Sequence, residues 1–390
     1  MPATEAKPLV FQDELWEELL RETDAAACYQ CGSCTATCPL ADRGKLNVRQ
    51  LIRLGGFGDG APGRGAETPG LWDCTTCAQC NVGCPRGVDV VEVVRHLRAR
   101  GWKRNEVPAG LRTILWAEFQ DGNPYRLPPS QRSGWMKGLS GPAVGSADGA
   151  TTVLYVGCTA SYDPRAQRTA RAVARLLAAA GVPFRLLGEN EVCCGETPRA
   201  LGADGLFRDL SARGAESLRK AGANRVITVS PHCFDALKAG LSKEVEVVHY
   251  SQLLDELVSG GKLKVGGYRP GSVTYHDPCY LGRQHGVYEP PRRLLESAGA
   301  KLVEMPRNRR WALCCGGGGG NMWRESEAEG EGRLADQRVA EAHGTGASVL
   351  ATACPFCVTC FSGADPHEVG RIDIVDVAEM VARAAGVAGP

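Results

Sequence analysis

The hydrophobic positions change period near residue 150. Before that point they recur at helical spacing. In residues 11–22, Phe11, Leu15, Leu19 and Leu20 share one side and predict an amphipathic helix. Residues 48–54 read as a shorter helix, followed by a Gly/Pro-rich loop over 55–70. Residues 88–103 predict a helix that is apolar at Val90, Val93, Val94 and Leu97. Its basic positions, Arg95, Arg98 and Arg100, read as a solvated face. Residues 121–150 are rich in Pro, Gly and Ser and read as a linker, with Trp135 as its anchor on a neighbouring surface.

Beyond that boundary short apolar runs alternate with helical stretches. Strand-like segments at 153–156, 184–187 and 226–229 interleave with helices over 165–180 and 198–220. The pattern restarts at 273–275, followed by a helix over 291–298, a strand at 301–305, a long helix over 322–342 and a strand at 348–352. Alternation of this kind predicts a parallel sheet with crossover helices. The restart is a repeat. Cys158 and Cys279, Cys193 and Cys314, and Cys194 and Cys315 each stand 121 positions apart, and Cys233 and Cys357 stand 124 apart. Two copies of one module, packed about a pseudo-twofold axis, are expected. Their cysteines follow strand ends or lie in loops, where open α/β sheets place their sites.

Composition narrows the class. A chain of 390 residues suggests two or three domains. The net charge of +1 points to neither nucleic acid nor an anionic membrane. No apolar stretch is long enough to span a bilayer, and the N-terminus lacks the pattern of a signal peptide. A cytoplasmic, reducing setting is expected. There, eighteen cysteines more often bind metal than form disulfides, since disulfide scaffolds are typically short and secreted.

Eight of the cysteines form two runs. Cys28, Cys31, Cys34 and Cys38 precede Pro39, and Cys74, Cys77, Cys80 and Cys84 precede Pro85. Three thiolates at three-residue intervals wrap three corners of a cubane on one loop, and the fourth cysteine ligates the other cube. Cys28, Cys31 and Cys34 are therefore paired with Cys84, and Cys74, Cys77 and Cys80 with Cys38, giving two [4Fe–4S] clusters. Zinc is the alternative, but its sites usually show paired Cys-x-x-Cys motifs. With every corner protein-ligated, these clusters would conduct electrons.

The repeated modules carry a lone cysteine, a Cys-Cys-Gly and a final cysteine pair. The second copy is complete, with Cys279, Cys314, Cys315, Cys354 and Cys357. Five thiolates exceed the needs of one cubane and suit an enlarged or opened cluster with a bridging thiolate. The glycine run 316–320 is expected to approach that core and aim N–H groups at its sulfurs. The first copy has Cys158, Cys193, Cys194 and Cys233, but Ser230 stands where the second has Cys354. It holds an ordinary four-cysteine cluster, a labile one, or none, with loss or change of function favoured. Cys360 is left over as a buried free thiol.

These stretches resemble the heterodisulfide reductase family, specifically a fused subunit that joins a two-cubane ferredoxin-like domain to two double-cysteine (CCG) domains. The resemblance rests on the two ferredoxin-type runs, residues 276–283, residues 314–320, and Cys354-Pro355-Phe356-Cys357. It implies an α+β/α/β architecture: a ferredoxin-like helical domain over 1–120, a linker over 121–150, a first CCG module over 151–265 and a second over 266–390. It implies a noncubane [4Fe–4S] cluster in the complete module, the site at which true heterodisulfide reductases cleave a disulfide. Ser230 departs from the pattern of two such sites. An iron–sulfur oxidoreductase subunit is therefore expected, taking electrons from a flavoprotein partner through the two cubanes to the second module. His276, His285 and Arg283 are candidate proton donors or anion anchors there, against structural histidines and a plain ion-pairing arginine. The alternative is a non-catalytic conduit between a flavoprotein and a membrane quinone or a low-potential reductase. No Gly-x-Gly-x-x-Gly follows a strand, so flavin and nicotinamide belong to partners. A cluster-bearing sensor is disfavoured, because no DNA-binding pattern is visible.

Overall fold

The computed structural model describes residues 23–41, 46–57, 70–137, 139, 149–324, 333–364 and 372–387. The helix expected over 11–22 and residues 58–69 of the expected loop lie outside them.

Four helices frame the cysteine runs: α1 (Ser33–Thr37), α2 (Val48–Phe57), α3 (Gln79–Gly83) and α4 (Val90–Lys103). α1 and α3 are single turns. Each holds the third cysteine of its run and ends on the fourth, Cys38 or Cys84. They pack so closely that a Cβ on Gly83 would lie 2.8 Å from Thr37 Oγ1. That approach carries each fourth cysteine across to the other run. α4 starts at Asp89, whose carboxylate accepts from Glu92 N at 3.1 Å, a side-chain cap on an otherwise orphaned donor.

The basic positions of α4 correct the expectation of a solvated face. Arg95 is 8% exposed and Arg98 is fully buried. Arg98 donates to the carbonyls of Leu71 (2.9 Å), Cys74 (2.7 Å), Ala200 (2.8 Å) and Gly319 (3.4 Å). One guanidinium thus ties the cysteine runs to both repeated modules. α5 (Ala109–Asp121), which the pattern did not foresee, follows. Residues of the expected linker are packed: Trp135 is 3% exposed and lies in the core of the first module, and its carbonyl accepts from Arg171 Nε at 2.7 Å.

The first repeat comprises β1 (Thr152–Tyr155), α6 (Cys158–Tyr162), α7 (Gln167–Ala179), α8 (Glu196–Ala200), α9 (Asp204–Lys220), β2 (Arg225–Thr228), α10 (Pro231–Gly240), β3 (Glu246–His249) and α11 (Tyr250–Ser259). The second comprises β4 (Ser272–His276), α12 (Glu289–Ser297), β5 (Lys301–Leu302), α13 (Leu334–His343), β6 (Val349–Thr352), α14 (Pro355–Ser362), β7 (Asp373–Asp376) and α15 (Val377–Ala384). Both sheets are parallel, ordered β1-β2-β3 and β5-β4-β6-β7. Val153, Leu154 and Tyr155 are all buried because helices cover both faces of their sheet.

Four expected elements differ. The strand expected at 301–305 stops after Lys301–Leu302. The strand at 184–187 is reduced to a single bridge, Val153 to Arg185. The helix expected over 198–220 breaks at Gly202 (φ +71°), where any Cβ would overlap the α4 backbone at Ala99. The helix expected over 322–342 is a short turn, Asn321–Trp323, and then α13, with 325–332 outside the described residues. The modules pack reciprocally: α11 of the first lies on α12 of the second, and α15 of the second lies on α7 of the first. Such an exchange is the signature of a twofold arrangement. One continuous core runs through both sheets.

Candidate metal centres

The two ferredoxin-type runs cross-pair around two cavities. Cys28, Cys31, Cys34 and Cys84 line one, walled by Tyr29, Ile52 and Val88. Cys38, Cys74, Cys77 and Cys80 line the other, walled by Leu51, Val90 and Val94. The donor set is sulfur alone in each. Four thiolates on one zinc ion would place their sulfurs about 3.8 Å apart. Among the described residues no three of these eight sulfurs lie within 4.8 Å of one another. The spacing fits a polynuclear cluster, whose corners hold the cysteines apart, better than a single ion. Burial pushes the metal-free Cys38 thiol up to about 12 and Cys80 well above the free-thiol range. Loading a cluster, which requires thiolates, therefore releases protons. The first cavity is the outer one: Cys31 is exposed and Tyr29 is 61% exposed.

The second module gathers its five cysteines. Cys279 follows β4, Cys314 and Cys315 lie in the loop before Gly316, and Cys354 caps α14, with Cys357 in its first turn. All five are buried. Cys314 makes thiol contacts with Cys279, Cys315 and Cys77 of the ferredoxin-type run, and Cys357 makes them with Cys315 and Cys354. The glycine run does less for sulfur than expected. Only Gly316 N reaches Cys314 Sγ, at 3.3 Å. Any Cβ on Gly318 or Gly319 would overlap the Thr75 or Cys74 carbonyl, so these glycines seat the module on the ferredoxin-type loop. Cys360, expected as a buried thiol, is half-buried, and a Cβ on Gly317 would lie 2.8 Å from its sulfur.

His276 is buried, with Nε2 3.4 Å from Cys357 Sγ. Burial, with Arg338 and Arg283 nearby, holds its pKa well below the histidine range, so the ring is neutral and not an imidazolium acid. Arg283 is spent on backbone: Nε donates to Cys77 O (2.6 Å) and Nη1 to Ala312 O (2.7 Å). It fastens the module to the ferredoxin-type run instead of anchoring a surface anion. His285 lies apart, 3.1 Å from Asp235, which Arg199 also holds.

The first module gathers Cys158, Cys193, Cys194 and Cys233 around a cavity that Ser230 also lines. Ser230 Oγ accepts from His232 N (3.3 Å) as the cap of α10, the place Cys354 occupies on α14. Several groups at these sites carried no spacing signal. Arg132 donates to Cys158 Sγ (3.4 Å) and pairs with Glu191 (2.8 Å). Glu118 accepts from Cys193 Sγ (3.4 Å), and burial, with Cys158 nearby, raises its pKa well above the carboxylate range. His232 stands where the second copy has Phe356, and that asymmetry in the repeat was its one sequence clue. Its ring stacks between Tyr280 and Phe356, 4.1 Å from each, and lies 3.3 Å from Glu196. Burial opposes its charge, but Glu196 and Cys354 hold its pKa well above the ordinary range. A cation from the first module thus lies against the second module's thiols.

Comparison with known proteins follows the same division. A 4Fe-4S dicluster domain matches residues 24–88, and a cysteine-rich domain (CCG) matches twice, at 152–238 and 273–362. One subunit of the dihydromethanophenazine:CoB–CoM heterodisulfide reductase of Methanosarcina barkeri is 35% identical over 94% of this chain and 95% of its own length. The EtfAB:quinone oxidoreductase of Syntrophomonas wolfei is 31% identical over 96% of this chain and 59% of its own. A probable membrane-anchored ferredoxin of Chromohalobacter salexigens is 32% identical over 95% and 61%. The chain spans about three fifths of the length of these last two relatives. Among the described residues no helix is long and apolar enough to cross a membrane.

Proposed function

Because the chain belongs to the heterodisulfide reductase family of iron–sulfur oxidoreductases, we propose that it carries electrons inward from a flavoprotein partner to the second module. Cys28, Cys31, Cys34 and Cys84 hold the outer cubane, and Cys38, Cys74, Cys77 and Cys80 the inner one. Cys279, Cys314, Cys315, Cys354 and Cys357 hold a noncubane [4Fe–4S] centre. Bound there, these clusters supply one-electron carriers. The observation that carries the reading is the junction at Cys77. Its thiol adjoins Cys314, its carbonyl is held by Arg283 at 2.6 Å, and Gly318 and Gly319 close on the same loop. The chain thereby removes the gap between the inner four-thiol set and the five-thiol set. The exposed side of the outer set, at Cys31 and Tyr29, is the face for a donor. The name of the Syntrophomonas relative, which pairs EtfAB with a quinone, supports a flavoprotein in that role.

One observation favours a second reading, in which the second module only passes electrons onward. None of its five cysteines is more than 6% exposed, so the described residues leave a disulfide substrate no open path to them. Paramagnetic resonance of the oxidised protein with added thiols separates the two. A thiol-dependent signal supports reduction of a disulfide on this chain, and an unchanged spectrum with every thiol supports the conduit.

The ligand assignment is tested by Cys315→Ala. The expected result is loss of about four iron atoms per chain and of the second module's signal, with both ferredoxin-type signals retained. Full iron content in that variant refutes the assignment.

A further inference from the structure

We propose that His276 donates a hydrogen bond to the Cys357 thiolate, that Arg338 fixes the ring nitrogen which carries the hydrogen, and that this pair raises the reduction potential of the second module's centre. The inference rests on the reading above that this module holds a cluster.

Arg338 decides where the ring hydrogen sits. It is fully buried on α13, and its Nε lies 3.1 Å from His276 Nδ1. A guanidinium has donors and no acceptor. Nδ1 must therefore accept, and the hydrogen of the neutral ring must sit on Nε2. Nε2 lies 3.4 Å from Cys357 Sγ, so the N–H points at sulfur. Arg338 is itself pinned, donating from Nη1 to Arg307 O and to Glu341 Oε2, each at 2.8 Å. Phe361 meets the imidazole edge-on, with centroids 4.8 Å apart, and holds the ring plane. The same hydrogen assignment excludes His276 as a ligand. A ring nitrogen lies within 4.8 Å of both Cys315 and Cys357 sulfurs, close enough for one metal ion, and Nε2 is the nitrogen next to Cys357. A nitrogen bearing hydrogen has no lone pair to offer.

The first module lacks the device. At the position 121 residues earlier stands Tyr155, whose hydroxyl donates to Val192 O at 2.5 Å and not to a thiol. An N–H aimed at a metal-bound thiolate draws charge off the sulfur and favours the reduced state. Arg338 is thus a positioning residue, acting through His276.

The test is a redox titration of the full-length, iron-loaded chain by paramagnetic resonance. In His276→Leu, at the wild-type midpoint of this centre, the reduced-to-oxidised ratio is expected to fall about tenfold, equivalent to a midpoint lower by about 59 mV for one electron. Both ferredoxin-type midpoints stay in place. His276→Gln keeps an N–H and is expected to recover at least half of the shift. An unchanged midpoint in His276→Leu overturns the proposal. If His276→Leu loses the centre's iron, the decision passes to wild-type protein carrying 15N-histidine, read by pulsed resonance in H2O and D2O. One weakly coupled ring nitrogen with an exchangeable hydrogen is expected, and a strong, directly bound coupling, or none, overturns the proposal. A wild-type chain with only two signals and iron to match fails the underlying reading as well, and iron analysis tells that case apart.

Discussion

At the N-cap of α10 the first module has Ser230, and at the N-cap of α14 the second has Cys354. Each is followed by proline, which suits a helix's first position, and each module carries its adjacent cysteine pair and a further thiol after its first strand. The backbones are equivalent, but the helix cap does different work. In the first module the hydroxyl closes the helix and the cavity keeps four thiols. In the second the cap is itself one of five thiols. The first module's His232, in the place of Phe356, then turns outward to Cys354. The five-thiol set stands in one copy only, and the other copy lends it a neighbouring imidazole. The paired sheets share one core and hold the two copies in register although their ligand sets differ.

The largest expected effect comes from restoring the missing thiol. Ser230→Cys places a fifth sulfur on the first cavity. The variant is expected to gain a second paramagnetic signal of the kind that Cys315→Ala removes. It also loses the serine cap, at about 1 kcal/mol. If the wild-type chain already shows two equal signals of that kind, the asymmetry between the modules does not exist.

The two modules also meet the cysteine runs at different places. The first docks through Gly202 onto the α4 backbone, and the second through Gly319 (φ +64°) onto the Cys74 carbonyl. Alanine at either position forces backbone apart in a left-handed conformation and is expected to destabilise by about 3 kcal/mol. Only Gly319→Ala should also slow reduction of the second module after rapid mixing with a reductant, because only that contact borders Cys74. Equal slowing in Gly202→Ala would remove the privileged junction.

Much of this was legible in the chain. β2, β4 and β6 lie inside their sheets, and β1 has its outer side covered by the Arg185 bridge, so their sequences are continuous apolar runs. β3 and β7 are edge strands, and Glu246, His249, Asp373 and Asp376 broke the pattern that would have revealed them. α5 escaped because its apolar residues do not keep to one side: Trp116 and Phe119 are more than half exposed while Leu111 is buried. The thiol spacings stood out because a cluster demands them locally. Arg98, His232 and Arg338 did not, since their partners come from other elements and only the fold brings them together. The basic stripe on α4 misled for the same reason: Arg98 is satisfied by carbonyls from three segments that no spacing links.

The smallest effect sets the two edge strands against each other. His249 ends β3 and Asp376 ends β7, and each caps the helix that follows. Burial, opposed in part by a hydrogen bond with Val229, lowers His249 from 6.5 to about 3. Burial raises Asp376 from 3.8 to about 8, although Tyr250 and Ala378 donate to it. Both groups are therefore neutral in the fold at pH 6, and their linkages have opposite sign. The His249 contribution is complete above pH 6.5 and is lost as pH falls toward 3, because the unfolded chain takes up the proton first. The Asp376 contribution is complete below pH 3.8 and is lost as pH rises toward 8, because the unfolded chain gives up the proton first. Where these windows overlap, from pH 3.8 to 6.5, the slopes cancel. Above pH 6.5 Asp376 acts alone, and stability is expected to fall by about 2 kcal/mol by pH 8. Urea midpoints followed by helix signal should show that decline in the wild type. Asp376→Asn keeps a good cap and should abolish the decline. His249→Asn, also a good cap, should extend it downward to about pH 4. A decline of the same size in Asp376→Asn would show that the carboxyl is ionised in the fold, and the two edges would then carry one charged and one neutral cap.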